Sequence, residues 1–235
     1  LEATVLANPS ANIYKQIRHI RLGYLTAKQG KFIVLEGLDG SGISTQAVAL
    51  ESHLRKLGLR TMHTKEPTER LMGGLLKEAL KGEWTASSEA LQLLFCADRA
   101  NHVKNEIEPA LSKGRMVVCD RYLFSTLAYG FSAGVDFQWL CAVNRVFRLP
   151  DLTIFIDIPA DISLSRIKSG RERRELFEKR ESLNKVRKAY LNLAKRYRFK
   201  VVNGDQSMTE VSKDIEEVVD SYLRREHIIN KISTR

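Results

Sequence analysis

Nine consecutive residues, Gly37-Leu38-Asp39-Gly40-Ser41-Gly42-Ile43-Ser44-Thr45, carry the most legible chemistry in this chain. Against the phosphate-binding pattern GxxxxGK[ST], both glycines (Gly37 and Gly42) and the hydroxyl of Ser44 stand in register. Glycines let successive backbone N–H groups turn inward around a phosphate, and the start of a following helix adds partial positive charge. Ser44 is of the residue type that ligates Mg²⁺ in such loops. The lysine that would reach the β- and γ-phosphates is replaced by Ile43. Loss of such a charge-assisted contact costs about 1.5–3 kcal/mol in binding. Where the donor acts on a transition state the cost is about 2.7–4 kcal/mol. Three readings follow: cations elsewhere substitute, the chain binds nucleotide without efficient turnover, or the loop is only a glycine-rich turn. The flanking motifs make the third the weakest.

The elements around the loop have the order such chemistry needs. Phe32-Ile33-Val34-Leu35, bounded by Gly30 and Gly37, reads as a buried strand, and a helical pattern runs from about 44 to 57 before Gly58. Further strands are predicted at about 60–64, 116–119, 152–158 and 199–202. Helices are predicted at 70–81, 87–112, 123–131, 137–147, 160–168, 177–197 and 208–225. Five apolar strands separated by helices predict an α/β fold, a doubly wound parallel sheet with helices on both faces. Ligands on such sheets sit at the carboxyl ends of the strands, so the polar residues after each strand are the candidates. No repeat and no linker interrupts residues 31–225, which read as one domain. Residues 1–30 read as an extension with a helical stripe of Ile13, Ile17, Ile20 and Tyr24, and 226–235 as a tail. The basic character of the extension is also that of a transit peptide, but its apolar stripe favours a helix packed on the domain.

Four strings in this order, GKFIVLEGLDGSGISTQ, LLFCADRANHV, GRMVVCDRYLFSTLAYG and PDLTIFIDIP, resemble thymidylate kinase, a P-loop nucleoside-monophosphate kinase family. The resemblance covers about 31–217. It implies transfer of the γ-phosphoryl of ATP to dTMP, with Mg²⁺ and often a homodimer. Residues Gly37–Thr45 then hold ATP. Phe95 corresponds to the aromatic stacked on the thymine ring and Arg99 to the arginine at its carbonyl edge. Asp120 is the strand-end carboxylate, sharing Mg²⁺ with Ser44, and Arg121 corresponds to the arginine on the acceptor phosphate. In HTKEP the family usually has arginine before Glu66; here Lys65 keeps the charge but loses the bidentate fork. Asp39 corresponds to the acidic residue that addresses the acceptor's sugar hydroxyl and counts among the catalytic candidates. Ser125 and Tyr129 correspond to the segment lining the deoxyribose. The polar run at about 168–177 corresponds to the lid over ATP. Gly40 after Asp39, with Arg171, Arg173 and Arg174 in the lid, matches the class whose catalytic arginine comes from the lid. Such an arginine would supply the charge that Ile43 lacks.

The composition limits the alternatives. The chain has 235 residues, 43% hydrophobic and 28% charged, ordinary for a globular protein. No stretch approaches the roughly 18 apolar residues of a membrane span. Its net charge is +10, and residues 163–200 alone, with fourteen Lys/Arg and four Glu, carry that balance. An anionic partner is implied. A nucleic-acid arm has such a balance, but Glu178 and Glu181 interleave the helix and no recognition motif accompanies it. Cys96, Cys119 and Cys141 form no CxxC or metal spacing, so a reducing compartment, the cytoplasm, is expected. Two readings stay beside dTMP kinase: a nucleotide-binding protein of this fold with little kinase activity, motivated by Ile43, and a kinase of another acceptor, motivated by Lys65.

Overall fold

The computed structural model describes residues 29–170 and 180–229. The predicted N-terminal helix, most of the lid with Arg171, Arg173 and Arg174, the start of the helix expected from 177, and residues 230–235 lie outside the described residues.

Five parallel strands form one sheet in the order β2-β3-β1-β4-β5. They are β1 (Phe32–Gly37), β2 (Thr61–Lys65), β3 (Met116–Asp120), β4 (Leu152–Asp157) and β5 (Lys200–Asn203). The helices are α1 (Ile43–Lys56), α2 (Leu71–Lys81), α3 (Ser88–His102), α4 (Glu108–Ser112), α5 (Leu123–Ser132), α6 (Phe137–Asn144), α7 (Ala160–Gly170), α8 (Arg180–Tyr197) and α9 (Met208–Arg225). The single helix expected over 87–112 is thus α3 and α4 joined by a π-helical turn, Val103–Ile107. The widened turn directly precedes Pro109, which has no N–H to continue the α ladder. Helix α6 stops three residues short of the expected 147, and the strand ends differ from the expected ones by one or two residues, the scale on which such ends fray.

Strand β1 is buried at all six positions because the sheet is covered twice. Its side chains alternate between two cores. Phe32 and Val34 join Leu127, Val186, Tyr190 and Leu193 from α5 and α8. Ile33 and Leu35 join Ala47, Leu50, Val211, Ile215 and Val219 from α1 and α9. The chain leaves β1 toward β2 and leaves β3 in the opposite direction toward β4. The switch point, where such sheets open a crevice for ligands, therefore lies between the carboxyl ends of β1 and β3. A third small cluster of Leu76, Ala79 and Leu91 holds α2 against α3, with Phe95 on its edge. All three cysteines are unpaired.

Helix α9 begins with a reciprocal cap: Ser207 Oγ accepts from the Glu210 N–H, and the Glu210 carboxylate accepts from the Ser207 N–H. Ser207→Ala is expected to lower unfolding free energy by about 1 kcal/mol. The check is a lower urea midpoint with unchanged m-value, since the cap is local and the buried area is not altered.

Candidate functional site

The phosphate loop is shaped by its glycines. Gly40 and Gly42 have φ of 76° and 88°, a region that other L-residues rarely enter. Gly42 caps α1 without any side-chain bond, so the first-turn N–H groups of the helix are left for a ligand. A Cβ on Gly40 would stand 2.8 Å from the Ser163 carbonyl oxygen on α7, and Ser163 Oγ donates to the Asp39 carbonyl at 2.5 Å. Helix α7 thus braces the loop from outside. Ile43 is only 4% exposed and packs into the core shared by β1, α1 and α9. At the position where a cation is usual, the side chain anchors the loop to the core.

Strand β3 ends against this loop. Ser44 Oγ donates to Asp120 Oδ2 at 2.5 Å, bringing together the two predicted metal ligands. Arg121, at φ 66°, crosses to the loop: Nη2 donates to Asp39 Oδ1 at 2.6 Å, and Nη1 donates to the Gly37 carbonyl at 2.9 Å and to Ser125 Oγ at 3.3 Å. Its guanidinium lies 5.4 Å from the Tyr129 ring centroid. The Tyr129 hydroxyl accepts from the Asp39 N–H at 3.2 Å. Asp39, Arg121, Ser125 and Tyr129, distant in sequence, thus form one wall.

The opposite wall comes from β2, α2 and α3. Lys65, at the end of β2, pairs with Glu69 at 2.6 Å, and Lys77 of α2 takes the other oxygen of the same carboxylate. Hydrogen bonds from Lys65 and then Lys77 lower the Glu69 carboxyl to about 2. Glu66 and Arg99 are buried together. Arg99 donates to Glu66 through Nε at 2.9 Å and pairs with it through Nη2 at 2.7 Å. It also donates to Asn144 Oδ1 at 2.6 Å and Thr126 Oγ1 at 3.1 Å. These bonds leave one Nη1 hydrogen of Arg99 for a ligand. Phe95 is half-buried on the same wall. Between the walls lies a cavity of about 500 Å³, bounded by the loop, Asp120, Arg121, Lys65, Phe95, Arg99, Ser125 and Tyr129. This is the size of a small-molecule site.

Several cavity or supporting residues escaped sequence reasoning. Lys77 and Lys81 line the cavity from α2; their i, i+4 spacing was the available signal. Glu36, the last side chain of β1 before the loop, is fully buried. It accepts from Ser125 Oγ at 2.6 Å, the Tyr190 hydroxyl at 2.9 Å and the Tyr122 N–H at 3.1 Å. Burial raises its carboxyl to about 7, against the lowering effect of Ser125, Arg121, Tyr190 and the Tyr122 N–H. An acidic residue inside an apolar strand was the signal. Two arginines of the basic stretch are committed elsewhere: Arg187 forks onto Asp157 at 2.7 and 2.9 Å, and Arg180 pairs with Asp161. Among the described residues no group of three or more His, Cys, Asp or Glu is arranged to hold a metal, and no helix is long and apolar enough to cross a membrane.

A family model described as thymidylate kinase matches residues 35–215. A probable thymidylate kinase of Pyrococcus abyssi is 43% identical over 201 residues, spanning 83% of this chain and 98% of the relative. That of Pyrococcus horikoshii has the same identity and coverage. A probable thymidylate kinase of Thermococcus gammatolerans is 40% identical over 204 residues, 83% of this chain and 98% of its own length.

The buried Glu36 carboxyl holds its proton more tightly in the folded chain than in the unfolded one. Its contribution to stability is therefore full below about pH 4.5 and is lost as pH rises through about 7. Glu36→Gln removes this titration. The stability gap between variant and parent is expected to shift in the variant's favour by about 2–3 kcal/mol between pH 5 and pH 8. Urea unfolding at both pH values measures it; a pH-independent gap would show that Glu36 binds no extra proton on folding.

Proposed function

The chain belongs to the thymidylate kinase family, nucleoside-monophosphate kinases that phosphorylate dTMP from ATP, and we propose that the cavity between the phosphate loop and Phe95 holds both nucleotides. The products are dTDP and ADP. The observation that carries the assignment of residues is the bridge made by Arg121, which bonds to Gly37 and Asp39 of the loop while facing the cavity. One charged group at the junction of two half-sites is where the transferred phosphoryl and the acceptor phosphate must meet.

In this reading the triphosphate lies within Gly37–Thr45, on the N–H groups that begin α1 and on its positive end. Asp39 holds Arg121 and addresses the acceptor's sugar hydroxyl. Arg121 and Lys65 bind the acceptor phosphate. Phe95 stacks on the thymine, Arg99 offers its remaining N–H to the base edge, and Glu66 keeps Arg99 in place. Ser125 and Tyr129 line the deoxyribose. The oxygens of Ser44 and Asp120 are hard ligands already in contact with each other, a donor set that fits Mg²⁺ completed by phosphate and water oxygens. When bound, Mg²⁺ would neutralise charge on the phosphate oxygens. Catalysis rests on position and charge, as the loose transition state of phosphoryl transfer requires. The cation absent at Ile43 is supplied by Arg171, Arg173 or Arg174. The enzyme pairs with a second copy and works in the cytoplasm, a reading supported by the family resemblance and by three free thiols.

A coupled assay with ATP and each nucleoside monophosphate is expected to show turnover of dTMP above the others. Arg121→Ala should lower kcat/KM for dTMP by about 100-fold or more. If the lid arginines replace the loop lysine, Ile43→Lys changes kcat by less than about tenfold, whereas Ala at Arg171, Arg173 and Arg174 together lowers it by more than about 100-fold. Unchanged kcat in the triple variant, or a gain of about 100-fold from the lysine, would sink the substitution of one cation by the others.

A further inference from the structure

Glu36 has no place in the reading above, yet it sits behind Ser125 and Arg121. It terminates the side-chain register of β1 one residue before the loop. Three donors from two other elements converge on its carboxylate: the Tyr122 N–H and Ser125 Oγ at the start of α5, and the Tyr190 hydroxyl of α8. Ser125 and Tyr190 are themselves 2.8 Å apart. Ser125 Oγ also accepts from Arg121 Nη1. An unbroken path of hydrogen bonds therefore runs from Glu36 through Ser125 to Arg121 and on to Asp39.

We propose that Glu36 is a positioning residue for the acceptor half of the site, holding Arg121 in its bridging pose through Ser125 and the Tyr122 backbone. The choice of side chain supports this. An ionised carboxylate is purely an acceptor and can take all three donors at once, whereas an amide would set an N–H₂ against one of them. Burying a carboxylate is costly and nothing in simple core packing requires it. The residue that gains is Arg121, which has φ 66° and depends on the adjacent Tyr122 N–H being fixed. The charged and titratable groups facing Glu36 are Arg121, Tyr122 and Cys119 from β3 and its end, and Tyr190 from α8, with Asp39 beyond Arg121. Of these only Arg121 is a cation. Protonating Glu36 turns an acceptor into a donor toward Ser125 or Tyr190 and removes a negative charge behind Arg121. The supported form is therefore the ionised one.

The proposal rests on Arg121 binding the acceptor phosphate, and the experiment separates the two. Steady-state kinetics are measured for the full chain and for Glu36→Gln, Tyr190→Phe and Arg121→Lys, varying dTMP and ATP independently across pH. In Glu36→Gln the KM for dTMP is expected to rise about five- to tenfold while that for ATP stays within about twofold. The parent's kcat/KM for dTMP should fall as pH drops through about 7. The variant, assayed with the same substrates so that their own ionisations cancel, should lack that limb. Equal rises in both KM values, or parallel pH profiles, overturn the inference. Tyr190 does not line the cavity, and Tyr190→Phe removes one donor from Glu36. It should raise the dTMP KM about two- to threefold, and this variant decides the matter if Glu36→Gln does not fold; an unchanged KM overturns the inference. If Arg121→Lys raises the dTMP KM and the Glu36 and Tyr190 variants do not, only the inference falls. If Arg121→Lys leaves it unchanged, the role given to Arg121 falls and the inference with it.

Discussion

The contact between Arg121 and Asp39 ties the ends of two neighbouring strands into one site. The Ser44–Asp120 and Arg121–Gly37 bonds join the same two segments, and this ion pair sets how the charged groups face each other across them. Both groups are largely removed from water, with the Asp39 side chain 14% and the Arg121 side chain 17% exposed. A pair so placed is weak evidence for stability, since the loss of hydration offsets the attraction. What it secures is geometry. Asp39 orients the guanidinium, the Gly37 carbonyl fixes its reach, and Tyr129 covers its face. Glu36 stands one layer deeper, costing stability near neutral pH while directing the groups above it. Stability given up inside a site to hold a shape is a common exchange in enzymes.

Positive charge is distributed unusually in this chain. The loop has none of its own, because Ile43 is committed to the core. Lys65 and Lys77 share Glu69 at the far wall. Arg180 and Arg187 face acidic partners near the end of β4 and the start of α7. A net charge of +10 therefore overstates how much cation is free to meet an anion. The Lys65–Glu69 pair is exposed, and pairs of that kind are loosely held, so a competing phosphate would meet little resistance there.

Much of this was legible in the sequence because local patterns and global packing agree. The apolar runs 32–35 and 116–119 became β1 and β3, and the glycine spacing fixed the loop between β1 and α1. Asp120 stood out as the carboxylate that ends a buried strand, while Arg121, Ser125 and Tyr129 were marked by the family resemblance. What escaped was set by long-range contact. The role of Glu36 depends on Tyr190, 154 positions away, and no local pattern encodes that distance. The placement of Arg99 by Glu66, Asn144 and Thr126 likewise joins three segments. The π-helical turn before Pro109 interrupts a periodicity that reads as unbroken helix. The fate of Ile43 was hidden for a further reason: a residue type tells what a side chain cannot do at a phosphate, but not that it will turn inward.

The close approach of Gly40 to α7 limits what the loop can carry. Any side chain at position 40 would meet the Ser163 carbonyl, and the backbone there is in a left-handed conformation besides. An arginine at position 40 would therefore have to displace α7 before its charge could reach a phosphate. A side chain there would demand a new seat for α7. The loop and α7 are fitted to one another as a pair, and neither can be rebuilt alone.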